Sequence, residues 1–233
     1  MTRLAAPAIG SSIALRCKLQ LAAPTLNRAM GALWRPAGLT ERYLDYLGVM
    51  HAVIRASVPL MRDAATRCTE LAGDAAVTGP LADYFTAHVV EELHHDEWLL
   101  QDLAVAGRDP QSVVSDQPSV VVARLVGPQY YWIRHHHPIS LLGYIAVLEG
   151  NSPPDWLAAR LAAGTGLPTA AFRTLHHHAI ADLDHSAQFD AFLDSLPLRP
   201  EHQQAMAISA LSTVLAFTDV LLALTDRPDH HPR

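Results

Sequence analysis

Gly and Pro cut this sequence into long segments of helical periodicity, and almost nothing in it reads as a strand. The Val runs at 89–90, 113–114 and 120–122 are short and lie inside helical patterns. No Asn-Gly or Asp-Gly turn joins two alternating runs, so the hairpin signal is missing. The pattern predicts helices over 40–59, 60–72, 79–106, 117–136, 138–149, 154–163, 168–195 and 199–225. The breaks fall at Gly79-Pro80, Gly107 to Pro110, His137-Pro138, Gly150 to Pro154, Gly164 to Pro168 and Pro197 to Pro200. Pro138 and Pro168 suit the first turn of a helix, and Gly107 and Gly150 suit the position just past one. The fold class is all-α.

A chain of 233 residues suits a single domain. Half of the residues are hydrophobic and 17% are charged, enough apolar surface for a sizeable core. The first residues are Ala-rich and broken by Pro7, Gly10, Ser11 and Ser12, and the end reads DRPDHHPR. The expected organisation is a flexible segment over 1–35, one helical domain over 36–226 and a polar tail over 227–233. The stretch Leu211–Leu224 contains Thr213, Thr218 and Asp219 and is short for a membrane span. A net charge of −6 disfavours nucleic acid as a partner. Two cysteines, Cys17 and Cys68, without a Cys-x-x-Cys pair read as reduced thiols of a cytoplasmic protein.

There are 14 His, beside the single Lys18. Their positions matter more than their number. Leu81, Phe85, His88, Glu92, His95, Leu99 and Leu103 share one face of a continuous helix, a core stripe with a polar middle. His178, Asp182, His185, Phe189, Phe192 and Leu196 share a face in the same way. In 138–149, Leu142 and Ile145 align with Glu149. Carboxylates and imidazoles on core faces are costly unless something compensates them. No Lys or Arg lies on these stripes to do so. One such His alone reads as a hydrogen-bonded core histidine. Three helices together offer Glu92, Glu149 and Asp182 with His95, His178 and His185. His88 and Glu91 sit close enough to serve as extra ligands. Mixed nitrogen and oxygen ligation without thiolate suits iron or manganese, and six ligands exceed one tetrahedral zinc site. His94 and His176 point away and read as solvated.

The stretch HVVEELHHDEWLLQDLAVAG at 88–107 resembles the Glu-Glu-x-x-His-Asp-Glu-Trp segment of the iron-containing redox enzymes with a haem-oxygenase-like fold, the haem-oxygenase-like diiron oxidases and oxygenases. YYWIRHHHPISLLGYIAVLEG at 130–150 is similar to their second segment, which ends in a ligand Glu. HHHAIADLDHSAQFDAFLDSLPL at 176–198 is similar to their third, and RYLDYLGVMHAVIRASVPLM at 42–61 to their first core helix. The resemblance covers about 40–225. It implies a haem-oxygenase-like bundle of seven to eight helices, with Glu92, His95, Glu149, His178, Asp182 and His185 as metal ligands. It departs at His94, where many members carry a small residue, and the choice among Glu92, Glu91 and His88 stays open. It further implies two Fe(II) ions that activate O2 as co-substrate. The expected function is oxidation of a small organic substrate, an amino acid, amine or fatty acid, in natural-product biosynthesis. A homodimer is compatible with it. Tyr130, Tyr131, Arg134 and Tyr144 are candidates for orienting the imidazoles, and an Arg in the pocket would favour a carboxylate substrate.

Four alternatives use the same residues differently. A ferritin-like bundle wants Glu-x-x-His on two helices, and only Glu92-x-x-His95 fits. A thiaminase-like hydrolase needs an inward nucleophilic Cys, and Cys17 and Cys68 are poorly placed; a cofactorless oxidase of this fold would use no metal. Haem on one axial His leaves the carboxylates unexplained. A non-enzymatic metal staple is unnecessary in a chain of this size.

Overall fold

The computed structural model describes residues 10–226, apart from the side chains of residues 72 and 181–184. Among the described residues the regular structure is entirely helical. The α-helices are α1 (Ser11–Leu33), α2 (Leu39–Ile54), α3 (Ser57–Glu70), α4 (Ala75–Glu92), α5 (His95–Val105), α6 (Pro110–Ser115), α7 (Val120–His135), α8 (Ser140–Glu149), α9 (Leu157–Thr165), α10 (Arg173–Ser195) and α11 (Pro200–Thr225). Two short 3-10 turns precede α4 and α10.

Two apolar clusters organise the bundle. The larger joins α1, the end of α2, α3, α4, α7, α8, the end of α10 and α11. The smaller joins α2, α5, α9 and the start of α10. Trp34, Tyr46 and Met50 pack against both. Helix α4 sends Val77, Leu81, Phe85 and Val89 into the larger cluster, whereas α5 sends Leu99 and Leu103 into the smaller. The chain must therefore turn between them. It does so at Leu93-His94, so the continuous helix expected over 79–106 is two helices. Pro80 lies inside α4, which begins before the expected break at Gly79-Pro80.

The segment over 11–33 is the main correction. It is helix α1, not a flexible leader, and it buries Leu15, Leu26, Ala29 and Leu33. Its start is held from a distance. The Ser12 backbone N–H donates to Asp194 at 2.9 Å and its hydroxyl donates to the same carboxylate at 2.6 Å. A carboxylate at a helix N-terminus satisfies free N–H groups and complements the dipole. Asp194 lies on α10, so nothing local in the sequence announces this cap. At the other end the buried Arg42 donates to the carbonyls of Leu33, Arg35 and Ala37. Together with the break at 93–94, α1 and the short α6 raise the helix count above the seven or eight expected.

Helix α11 is long and apolar enough to cross a membrane by length and composition alone. It packs as a core helix, with Ala210, Val214, Phe217 and Leu221 buried. Its polar positions are also satisfied inside: the Ser209 hydroxyl donates to Gln129 Oε1 of α7 at 3.1 Å. Helix α8 meets α11 at Gly143, where a Cβ would stand 2.3 Å from the Met206 carbonyl oxygen. The nearest atoms there are backbone and cannot rotate away. Gly143→Ala is expected to cost about 1–3 kcal/mol, the range of overpacked cores. Chemical denaturation of the purified variant measures it, and an unchanged midpoint would remove the close approach.

Candidate metal centre

The turn between the two clusters carries the candidate site. Glu92 closes α4 and His95 opens α5. His94 between them has φ of 70°, the one positive-φ non-glycine among the described residues. This left-handed conformation is unfavourable for a side chain with a Cβ. His94 itself is exposed, with Nδ1 2.9 Å from Glu97 Oε1. His94→Gly is therefore expected to raise stability by about 0.5–1 kcal/mol, since it relieves the backbone and loses only an exposed contact with Glu97. A thermal melt shows this as a rise of a few degrees, and a fall would mean that the His94 side chain matters more than its backbone.

Four elements converge beyond this turn. His88, one turn earlier on α4, is buried. Its Nε2 meets Glu149 Oε1 at 2.7 Å, and its Nδ1 meets Glu91 Oε2 at 3.1 Å. One ligand atom each from His88, Glu92 and Glu149 lies within 4.8 Å of the others. His95 Nδ1 approaches Glu92 Oε2 to 3.3 Å without hydrogen-bond geometry. The His95 ring touches those of Trp98 (4.3 Å between centroids) and His178 (5.1 Å). The His185 ring lies 6.0 Å from that of His88. Asp182 lies on α10 between His178 and His185, and its side chain is outside the described residues. Glu91 is the most exposed of the group, with 46% of its side chain accessible.

The imidazoles set the charge of the site. Burial works to raise the Glu92 carboxyl, but His95, then His178 and His88, outweigh it and hold the group below the usual carboxylate range. Burial works to lower His88, and its bond to Glu149 together with Glu92 and Glu91 pushes it above the usual imidazole value. Helix α10 is placed by α5: the buried Asp102 accepts the Thr174 backbone N–H at 2.9 Å, near the α10 N-terminus. The helices that carry His95 and His178 are thus tied to each other.

A cavity of about 130 Å³ opens beside His88, Glu92, Glu149 and His178. Of the candidate orienting residues, Tyr144 lines this cavity and is 2% exposed. Tyr131 is exposed. Arg134 is on the surface, paired with Asp63, so it does not supply a pocket cation. Tyr84, which the sequence pattern does not single out, stacks on His88 with 5.5 Å between centroids.

A second cluster carries no signal in the sequence. Asp74, before α4, faces His202 Nε2 at 2.8 Å and His137 Nε2 at 3.5 Å. Arg199 donates to both Asp74 oxygens at 3.0 Å each. The residue types suit a metal, but the ring orientations do not. The Ile139 backbone N–H donates to His137 Nδ1, and the Arg199 backbone N–H donates to His202 Nδ1. Both Nε2 atoms face Asp74, and that of His202 also lies 3.0 Å from Arg199 Nη2. A metal-binding imidazole donates its other ring N–H to an acceptor, whereas both Nδ1 atoms here accept from backbone N–H groups. With a guanidinium already on the carboxylate, this cluster is a clamp joining the start of α4, the α7–α8 junction and the start of α11.

Residues 75–218, more than half of the chain, match the sequence model of a family described as "Iron-containing redox enzyme". No curated protein matches this chain in sequence. Among solved structures, a domain of unknown function with a heme oxygenase-like fold from Shewanella denitrificans OS217 is similar over 92% of this chain and 88% of its own, at TM-score 0.69 and 15% identity. A TenA homolog from Pseudomonas syringae pv. tomato str. DC3000 is similar over 90% and 91%, at TM-score 0.70 and 12% identity. A CADD-like protein of unknown function from Nostoc punctiforme PCC 73102 is similar over 90% and 95%, at TM-score 0.57 and 14% identity. At such identities these structures speak for the fold alone. The family match does more, and with the helical architecture it places this chain in the iron-containing redox enzyme family, on a haem-oxygenase-like fold.

Proposed function

We propose that this protein is a non-haem diiron enzyme that uses O2 to oxidise a small organic substrate. The observation that carries the reading is the meeting of His88, Glu92 and Glu149, with His95 and His178 beside them, at the wall of a mainly apolar cavity. The donor set fits iron. It is imidazole and carboxylate without thiolate, which suits ions that change oxidation state, and the cavity beside it has room for a reactant.

The residues fall into two groups. Glu92, His95 and His178 would hold one ion. Glu149 and His185, with His88 or Asp182, would hold the other. Bound iron supplies the electrons for O2 reduction. The chain supplies the rest. Its imidazoles and carboxylates sit on four helices fixed by the two apolar clusters, so the donors stand close together before any ion arrives. Trp98 packs on His95 and limits its ring to few orientations. Leu60, Met61, Leu141, Ile145 and Phe217 wall the cavity and keep water from the reacting group. The substrate is accordingly a small molecule.

Anaerobic addition of Fe(II) to the purified full chain, followed by metal analysis, tests the reading. About two iron ions per chain, and O2 uptake on exposure to air, are expected. A chain that takes up no iron would end it.

A further inference from the structure

His88 stands in the walls of two cavities. One is the cavity of about 130 Å³ beside the candidate centre. The other, of about 240 Å³, lies between α4 and α10. The two ring nitrogens divide between them. Nε2 meets Glu149, which lines the first cavity and not the second. Nδ1 meets Glu91, which lines the second and not the first. Half-buried His185 of α10 also lines the second. Ala87 and Glu91 on α4 and Gln188 on α10 are exposed, so the second cavity meets solvent along that edge. Its donors are therefore graded by depth: the Glu91 carboxylate outermost, then His185, then buried His88. Among the described residues that line it there is neither Lys nor Arg. A cation loses several kcal/mol of hydration on leaving water, and a donor at each depth replaces the waters as they are shed. The exposure of Glu91 sets it apart from the inner carboxylates. Its side chain is 46% accessible, against 14% for Glu92 and 16% for Glu149.

We infer that the cavity between α4 and α10 is the port by which divalent metal ions reach the centre, and that Glu91 captures the ion there without keeping it. The inference rests on the proposed metal centre as the destination of the ion. It takes Glu91 out of the ligand set and gives the two cavities different traffic: ions on the Glu91 side of His88, the organic reactant on the Glu149 side. A residue that only assists passage speeds entry and release by the same factor, because the path is shared and the bound state is untouched. A ligand that keeps the ion acts mainly on release.

The test is the rate of anaerobic Fe(II) uptake by the metal-free full chain, with the ion still in solution trapped at intervals by a chromogenic chelator. Release is followed by mixing the loaded chain with excess chelator. Glu91→Gln is expected to slow uptake and release alike, about three- to tenfold, and to leave the iron bound at equilibrium unchanged. Ala87→Trp narrows the mouth from an exposed position without changing its charge, and Gln188→Trp does so from the opposite helix. Both should slow the two rates in the same way. Added salt should slow uptake by the native chain more than by Glu91→Gln, because it screens an exposed carboxylate. Circular dichroism and unchanged iron content identify the variants that are folded. Faster release and less bound iron in Glu91→Gln would make Glu91 a resident ligand and overturn the inference. Unchanged rates in both tryptophan variants would mean that the ion enters elsewhere, and would overturn it too. A native chain that binds a single ion and shows these rate effects would support the port while the diiron reading failed. A native chain that binds two ions, with rates unmoved in all three variants, would do the reverse.

Discussion

Glu149→Ala is expected to lose half or more of the bound iron and to lower O2 consumption at least about 100-fold. Glu149 is the last residue of α8, and its carboxylate is the point at which α8 meets the α4 side chains. Its removal leaves His88 buried with no acceptor on Nε2, and takes one anion from a site that must balance two cations. His178→Ala should act in the same direction from α10, by removing the imidazole against His95. Either variant could lose iron merely by unfolding. Glu149→Gln preserves shape and hydrogen bonding to His88 but removes the charge, so it separates the two causes. Far-UV circular dichroism should show all three variants folded. Metal content and O2 uptake that survive both Glu149→Ala and His178→Ala would remove the pair from the ligand set.

Asp74→Ala is expected to destabilise the fold by about 2–3 kcal/mol and to leave iron content unchanged. Removing one member of a buried ion pair costs about 3–5 kcal/mol, and the exposed Arg199 side of this one lowers the figure. The variant strands His202 and His137 beneath a guanidinium with no anion between them. The clamp should also be sensitive to acid. Burial first, then His202, holds His137 down at about 4, against an unfolded value near 6.5. Between those values the unfolded chain binds a proton that the folded chain does not. The contribution of His137 is therefore complete above about pH 6.5 and is lost as pH falls toward 4. Burial works to raise Asp74, but the bond from Arg199, with His202 and His137, holds it below its usual value. Its contribution is lost as pH falls from the ordinary carboxylate value through the lowered folded one. Denaturation midpoints taken from pH 7 to pH 4 should fall in the native protein and fall less in His137→Gln. A flat native profile, or a loss of metal in Asp74→Ala, would contradict the clamp.

Much of the fold is legible in the amino-acid sequence. The Gly and Pro punctuation places most helices, because those residues act through local backbone geometry. The helical stripes also single out Glu92, His95, Glu149 and His178, which the fold brings to one place. Periodicity gives the wrong reason for part of this. Glu92 and His95 do not share a face of one helix; they flank the break at His94. The pattern cannot show the break, because its cause is that α4 and α5 bury their apolar residues in different clusters. His88 shares the stripe with Glu92, and the fold sets it against Glu149 of α8, which the spacing does not show. The clamp of Asp74, His137 and His202 has no such signal, since its members are separated by more than sixty residues at each step.

The sequence by itself determined that the chain is helical, that imidazoles and carboxylates occupy core faces, and which family motifs it resembles. These are properties of spacing along a backbone of fixed period. Tertiary structure alone decided that residues 11–33 are a helix capped by Asp194 and that His88 stands between Glu91 and Glu149. Each of these depends on a group supplied by another part of the chain, and periodicity within one segment carries no information about what packs against it.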